Sequence, residues 1–278
     1  MTRQFNHVWR LAMTGLAFAA MGVGGMVLAV AVFPPITWFT RDPVLRQRRV
    51  QQAVRASFQV YIAMLQILGL LSLRVAEADR LRGLQGHLVV ANHPTLLDIV
   101  LLMALIPRAQ CIVKHQLWRN VFLRPVVQGA GYIRNDQDAE HLLASCAATL
   151  RAGNNLIVFP EGTRSRPGQP ITFRRGFANI ALVARTDIEA VIISCTPPTL
   201  AKGDKWYSIP LEKPTFSIDA SEPIDINNFL SMPHRSLAAR RLHATLEHRY
   251  AEALRDGKSG ARDQKFDCPG AEARGLVA

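Results

Sequence analysis

The sequence predicts an α/β fold: a mixed, partly parallel sheet flanked by helices, with N-terminal membrane-anchoring helices. From Leu11 to Thr40 no residue is charged, and about 20 residues are enough to cross a bilayer core. From about Leu88 onward, short apolar runs alternate with segments of helical period, the pattern of strands joined by helical crossovers. The 278 residues suit one sizeable domain plus an anchor.

The first apolar run reads as one transmembrane or re-entrant helix over about 11–33, ended by Pro34 and Pro35. Arg3 and Arg10 precede it, and Arg41, Arg46, Arg48, Arg49 and Arg55 follow. That excess places the C-terminal side in the cytoplasm, so the expected location is the inner (cytoplasmic) membrane with the main domain facing the cytoplasm. A second charge-free run, Ala56–Leu73, reads as an interfacial helix over about 56–73, because a second crossing would return the chain to the far side. The anchor is therefore residues 1–75 and the main domain 76–255. Residues 256–278 are polar and poor in apolar side chains, and read as a disordered tail.

Within the main domain, Leu88–Ala91 reads as a buried strand, and Pro94 as the first turn of a helix continuing through Thr95–Leu105. Strands are expected at Gln110–Val113, Gly131–Ile133, Leu156–Phe159 and Ala190–Cys195. Helices are expected at Asp136–Arg151, closed by Gly153, and at Gly176–Arg185 and Pro233–Arg255.

A formal charge of +12 fits either nucleic acid or an anionic membrane surface. No nucleic-acid motif accompanies it, and the apolar N-terminus favours the membrane. Cys111, Cys146, Cys195 and Cys268 form no CxxC pair, so they read as reduced thiols rather than a metal or redox site. No metal is expected, since the histidines show no ligand spacing.

Four segments carry chemistry. His93 and Asp98 stand in an HxxxxD spacing at a strand–helix junction. The ring of His93 lies before the first turn and is free to fold over it. Held at one nitrogen by the carboxylate, it takes a proton at the other; the alternative is a capping His and an Asp that favours the helix dipole. In Phe159–Ser165 (FPEGTRS), a strand delivers Glu161 to a sheet edge, Gly162 allows a tight turn, and Thr163 and Arg164 offer a hydroxyl and a guanidinium. Gly131–Arg134 ends a short strand in an Arg. Phe173–Gly176 places two arginines beside a helix N-terminus.

The order HxxxxD, GxxR, FPEGTRS, FRRG resembles the glycerol-3-phosphate and 1-acylglycerol-3-phosphate acyltransferase superfamily, over roughly Leu88 to Pro198. The resemblance implies that His93 is the general base and Asp98 its holder, and that Arg134, Glu161, Gly162, Thr163 and Arg164 bind the acceptor, above all its phosphate. It implies acyl transfer from acyl-CoA or acyl carrier protein as co-substrate, with no cofactor, to a lysophospholipid hydroxyl. The leading acceptor is 1-acyl-sn-glycerol-3-phosphate, and the partners are membrane lipids and the donor carrier, with no nucleic acid. Two departures bear on the acceptor. Tyr132-Ile133 replaces the acidic residue usual before the Arg, and Val191–Pro198 followed by Lys202–Tyr207 replaces the usual Val-Pro-Val block. An acyltransferase for a lyso-ornithine or aryl-polyene-type lipid is the alternative.

Overall fold

The computed structural model describes residues 2–119, 124–165 and 171–255, with side chains from Asn6 to Leu254. The expected tail at 256–278 lies outside the described residues. The chain runs α1 (Thr2–Val27), a π-helical turn (Leu28–Val32), α2 (Phe33–Phe39), α3 (Pro43–Ile67), β1 (Ser72–Ala76), α4 (Ala78–Gly83) and β2 (Leu88–Ala91). It continues through α5 (Asp98–Leu105), β3 (Ala109–Val113), α6 (Gln116–Arg119), α7 (Arg124–Gly129), β4 (Ile133–Arg134), α8 (Ala139–Arg151) and β5 (Asn155–Val158). The last elements are α9 (Gly176–Ala184), β6 (Ile188–Thr196), β7 (Thr215–Ala220), α10 (Asn227–Leu230) and α11 (Arg235–Arg255).

The prolines do not end the first helix, as the sequence reading expects. Neither Pro34 nor Pro35 has an N–H, and each ring crowds the carbonyl four residues back. The chain widens into the π turn, where Phe33 N–H reaches Leu28 O, and both prolines then sit in the first turn of α2. The helical run Asn6–Phe39 is long and apolar enough to cross a membrane, and only 11% of its most apolar window is buried. Its inner face nevertheless packs on the domain at Arg10, Ala17 and Phe33. Asp42 caps the start of α3, its side chain accepting from Val44 N–H. It packs along α5, and Arg55 and Gln59 donate to the Ala104 and Leu105 carbonyls that end that helix.

Among the described residues, seven strands form one sheet in the order β1-β7-β6-β2-β5-β3-β4. Neighbouring strands in that order pair in parallel except β6 with β7. Alternation along each strand feeds two cores. Val89 and Ala91 of β2 join the apolar cluster with α3 and α5 on one face, while Leu88 and Val90 face α9 and α11 on the other. Tyr250 of α11 is buried, and its hydroxyl donates to the Val90 and Val191 carbonyls at 2.7 and 2.9 Å.

Three local expectations need correction. β1 begins at Ser72, inside the segment assigned to the interfacial helix and anchor, because α3 stops at Ile67 and Gly69 (φ +72°) turns the chain into the sheet. β7 was not anticipated. The helix after β2 starts at Asp98 rather than at Pro94, since residues 92–97 are held in a turn by the bonds described next.

Candidate active site

β2 through β6 all run parallel, so the connections that follow them open on one edge of the sheet, where α/β proteins bind ligands. A cavity of about 680 Å³ lies there. His93 enters it after β2, Lys114 after β3, Asn135 after β4, Phe159, Pro160 and Gly162 to Arg164 after β5, and Lys202 after β6.

β2 ends at Ala91, and Asn92 extends the pairing with its side chain. Its Nδ2 donates to Ile193 O at 2.8 Å, and its Oδ1 accepts from Ile193 N–H at 2.7 Å. The backbone of His93 is thus free to leave the sheet. His93 Nδ1 meets Asp98 Oδ2 at 2.8 Å. The same carboxylate accepts from Thr95 N–H at 2.7 Å and from the Thr95 hydroxyl at 2.5 Å. Asp98 has no exposed surface. Burial pushes its carboxyl above the usual range, and the bonds from His93 and Thr95 pull it back down. The His93 ring stacks on Phe159, centroids 4.2 Å apart. With Nδ1 tied to Asp98, Nε2 is the nitrogen left for a substrate proton.

The FPEGTRS segment closes onto His93. Ser165 N–H donates to His93 O at 2.7 Å, while Glu161 Oε1 accepts from His93 N–H and from the Ser165 hydroxyl, both at 2.9 Å. Glu161 therefore holds the histidine backbone rather than lining the cavity. Gly162 adopts φ +69°, and a Cβ there would stand 3.3 Å from Cζ and Nε of Arg174. Thr163 lines the cavity. Arg164 lines it too, but its Nη1 donates to Leu200 O and Ala201 O, both at 2.9 Å.

Arg134 is not brought to the cavity wall. It forms a paired bond with Asp136, at 2.9 and 2.6 Å, with its guanidinium 5.7 Å from the Trp118 ring centroid. Its neighbour Asn135 lines the cavity instead. The charged lining residues are Lys114, Arg164, Arg174 and Lys202, and no carboxylate is among the described ones. Lys114 and the Thr95 hydroxyl escaped the sequence reading. The signal for Lys114 was its place just past the C-terminal end of a parallel strand. Cys111 also lines the wall; burial pushes its thiol up to about 12, so it is protonated and unreactive at neutral pH.

A buried carboxylate orients a histidine towards a cavity lined by cations, at the strand edge of an α/β domain whose N-terminal helix is long and apolar enough to cross a membrane. Residues 72–196 match the Acyltransferase family model. The 1-acyl-sn-glycerol-3-phosphate acyltransferase of Cocos nucifera is 31% identical over 52% of this chain and 50% of its own length. That of Helicobacter pylori (strain J99) is 32% identical over 39% of this chain and 48% of its own. The alpha form of Mus musculus is 30% identical over 45% and 46%. The chain thus spans about half the length of these relatives. The crystal structure of the 1-acyl-sn-glycerophosphate acyltransferase PlsC from Thermotoga maritima has the same fold, with a TM-score of 0.67 and 20% identity over 93% of this chain and 100% of that one. Over residues 72–196, the part that carries the site, the chain is thus similar to the Acyltransferase family model and to 1-acyl-sn-glycerol-3-phosphate acyltransferases.

Proposed function

We propose that the chain transfers a fatty acyl group from acyl-CoA or acyl carrier protein to the free hydroxyl of 1-acyl-sn-glycerol-3-phosphate, giving phosphatidic acid. The observation that carries this is the His93–Asp98 pair opening on a cavity whose charged lining residues are all cations. His93 Nε2 takes the hydroxyl proton as the oxygen attacks the thioester carbonyl. The C–S bond then breaks, and the proton passes from His93 to the departing thiolate. Asp98 stabilises the transient imidazolium and fixes the tautomer. Lys114, Arg174 and Lys202 hold the acceptor phosphate, with Arg164 behind them.

A lyso-ornithine acceptor is a zwitterion, its carboxylate offset by an ammonium group, whereas the phosphate monoester is wholly anionic, so a cavity with four cations favours the phosphate. The altered segment after Ala190 supports a specialised lipid instead, and lipid profiling of cells with and without the protein separates the two. Loss of one minor lipid with an unchanged phosphatidic acid pool would select the specialised acceptor.

The anchor is read as lying along the membrane surface rather than standing through it. Arg10 and Phe33 both pack on the domain, and at about 1.5 Å per residue they lie some 35 Å apart, more than a bilayer core. The basic residues from Arg41 to Arg55 suit the anionic headgroups of such a surface, and a thioester donor carried by CoA or acyl carrier protein supports the cytoplasmic face of the inner membrane.

The test is turnover of lysophosphatidate and an acyl thioester by the purified chain in vesicles. His93→Ala and Asp98→Asn are expected to lower kcat by about 10²–10⁴-fold. Unaltered turnover by His93→Ala would sink the mechanism.

A further inference from the structure

The connection from β6 to β7, residues 197–214, reaches from the catalytic cavity to the lipid-facing surface. At its inner end, Lys202 lines the cavity. Leu200 is held at φ +52°, a left-handed conformation that a residue with a side chain rarely adopts. Its carbonyl accepts from Arg164 and, at 3.1 Å, from Leu96 N–H. The Ala201 carbonyl takes the second bond from Arg164, and Asp204 accepts from Ala201 N–H at 2.8 Å. Backbone strain fixed by surrounding bonds is characteristic of functional segments.

The outer end turns to α1. Trp206 meets Phe18 edge-on at 6.2 Å, and Tyr207 packs edge-on against Trp206 at 5.6 Å. Arg10 of α1 donates to Leu211 O at 3.1 Å. Trp206, Tyr207 and Leu211 are nonetheless 49%, 47% and 80% exposed. They continue the apolar surface of α1 that Leu16 and Phe18 present, with Lys202, Lys205 and Lys213 nearby in the chain. Tryptophan and tyrosine flanked by lysine suit the water–lipid boundary of an anionic bilayer. Between the two ends, Thr199, Leu200, Ile209 and Pro210 line a second, apolar cleft against α1 and α3.

We propose that residues 199–213 are a membrane-inserted strap: Trp206, Tyr207 and Leu211 enter the bilayer beside α1, and Arg164 clamps the inner end, so that lipid contact positions Lys202 in the cavity. Arg164 is then a positioning residue, acting through the Leu200 and Ala201 carbonyls. Only the kinetic part of the test rests on the acyltransferase reading.

Three measurements on the full chain decide it. With Trp9, Trp38 and Trp118 replaced by Phe, Trp206 fluorescence is read in phosphatidylcholine–phosphatidylglycerol vesicles carrying brominated acyl chains. Quenching is expected, and intensity equal to that in unbrominated vesicles overturns the insertion. In detergent, Arg164→Gln and the milder Arg164→Lys are expected to speed tryptic cleavage after Lys202 and Lys205, and unchanged cleavage in both overturns the clamp. Trp206→Ser with Leu211→Ser is expected to raise KM for a vesicle-borne lysophosphatidate about tenfold or more. For a short-chain, water-soluble analogue, transfer from detergent to vesicles is expected to lower the wild-type KM and to leave that of the double variant unchanged; a wild-type KM indifferent to vesicles overturns the coupling. A wild-type chain that turns over neither acceptor refutes the acyltransferase reading and leaves the quenching and cleavage results to judge the strap.

Discussion

Thr95→Val tests how the buried Asp98 carboxylate is held. The substitution nearly conserves shape but removes the hydroxyl that donates to Asp98 Oδ1 at 2.5 Å. It leaves the backbone bond from Thr95 to Oδ2 in place. Asp98 is wholly buried, so no water replaces the lost donor. A hydrogen bond to a charged group contributes about 1.5–3 kcal/mol, and 1 kcal/mol moves Tm by about 2–4 °C in a chain of this size, so Thr95→Val should lower Tm by about 3–12 °C. The pH dependence follows from the same bond. Burial already holds the Asp98 carboxyl above its usual range, and the Thr95 bond opposes that rise. Without it the carboxyl is protonated at higher pH, and a neutral Asp98 does not stabilise the imidazolium. The acid limb of kcat/KM should therefore move to higher pH, while Thr95→Ser, which keeps a hydroxyl, should stay near wild type. Differential scanning calorimetry and a pH–rate profile give both readings. An unchanged Tm with an unchanged acid limb would refute the claim that the hydroxyl holds Asp98.

Gly162→Ala places a side chain at φ +69° and 3.3 Å from the Arg174 guanidinium; a loss of about 1 kcal/mol or more in stability and a raised KM for the acceptor are expected from thermal unfolding and steady-state kinetics. Tyr250→Phe removes the donor to Val90 O and Val191 O, at a cost of about 1–3 kcal/mol by chemical denaturation. Glu189 is buried and bonded to Arg80 at 2.7 Å, and burial raises its carboxyl above the usual value. The folded chain then binds more protons than the unfolded one, so this residue's contribution to stability falls as pH rises from about 4.5 upward. Glu189→Gln should flatten that slope in denaturation curves measured across the range. Arg134→Gln should leave the acceptor KM within about twofold of wild type, because Arg134 is engaged by Asp136 outside the cavity lining.

The motif-bearing strands were legible because each is a short apolar run followed at once by its chemistry: LVVA before His93, LIVF before Glu161. β1 was hidden because SLRVA follows α3 within one apolar stretch, and its partner β7 lies about 140 residues away, at Thr215–Ala220. β7 alternates buried and half-buried positions, a period-two signal that was present but short. At the site, the His–Asp pair could be read from spacing, since the turn between them is local. The fates of Glu161 and Arg164 could not, because their partners, the His93 backbone and the Leu200 and Ala201 carbonyls, come from distant stretches of chain. Arg134 differs: its competing carboxylate, Asp136, stands two residues on and was in view. A basic residue in a motif has a charge that is known from sequence, but the group that receives it is a property of the fold.

The side-chain rung that Asn92 makes with Ile193 has a consequence for how such a protein diversifies. Because the rung lets the chain leave the sheet within one residue, the base and its carboxylate are both encoded in a single stretch of seven residues, Asn92 to Asp98. The cations come from connections after three other strands: Lys114 after β3, Arg164 and Arg174 after β5, and Lys202 after β6. On the proposed function, proton transfer and acceptor contact would thus be encoded in separate pieces of chain. A change in the β6–β7 connection, which carries Lys202, would then alter acceptor binding without touching the His93–Asp98 pair.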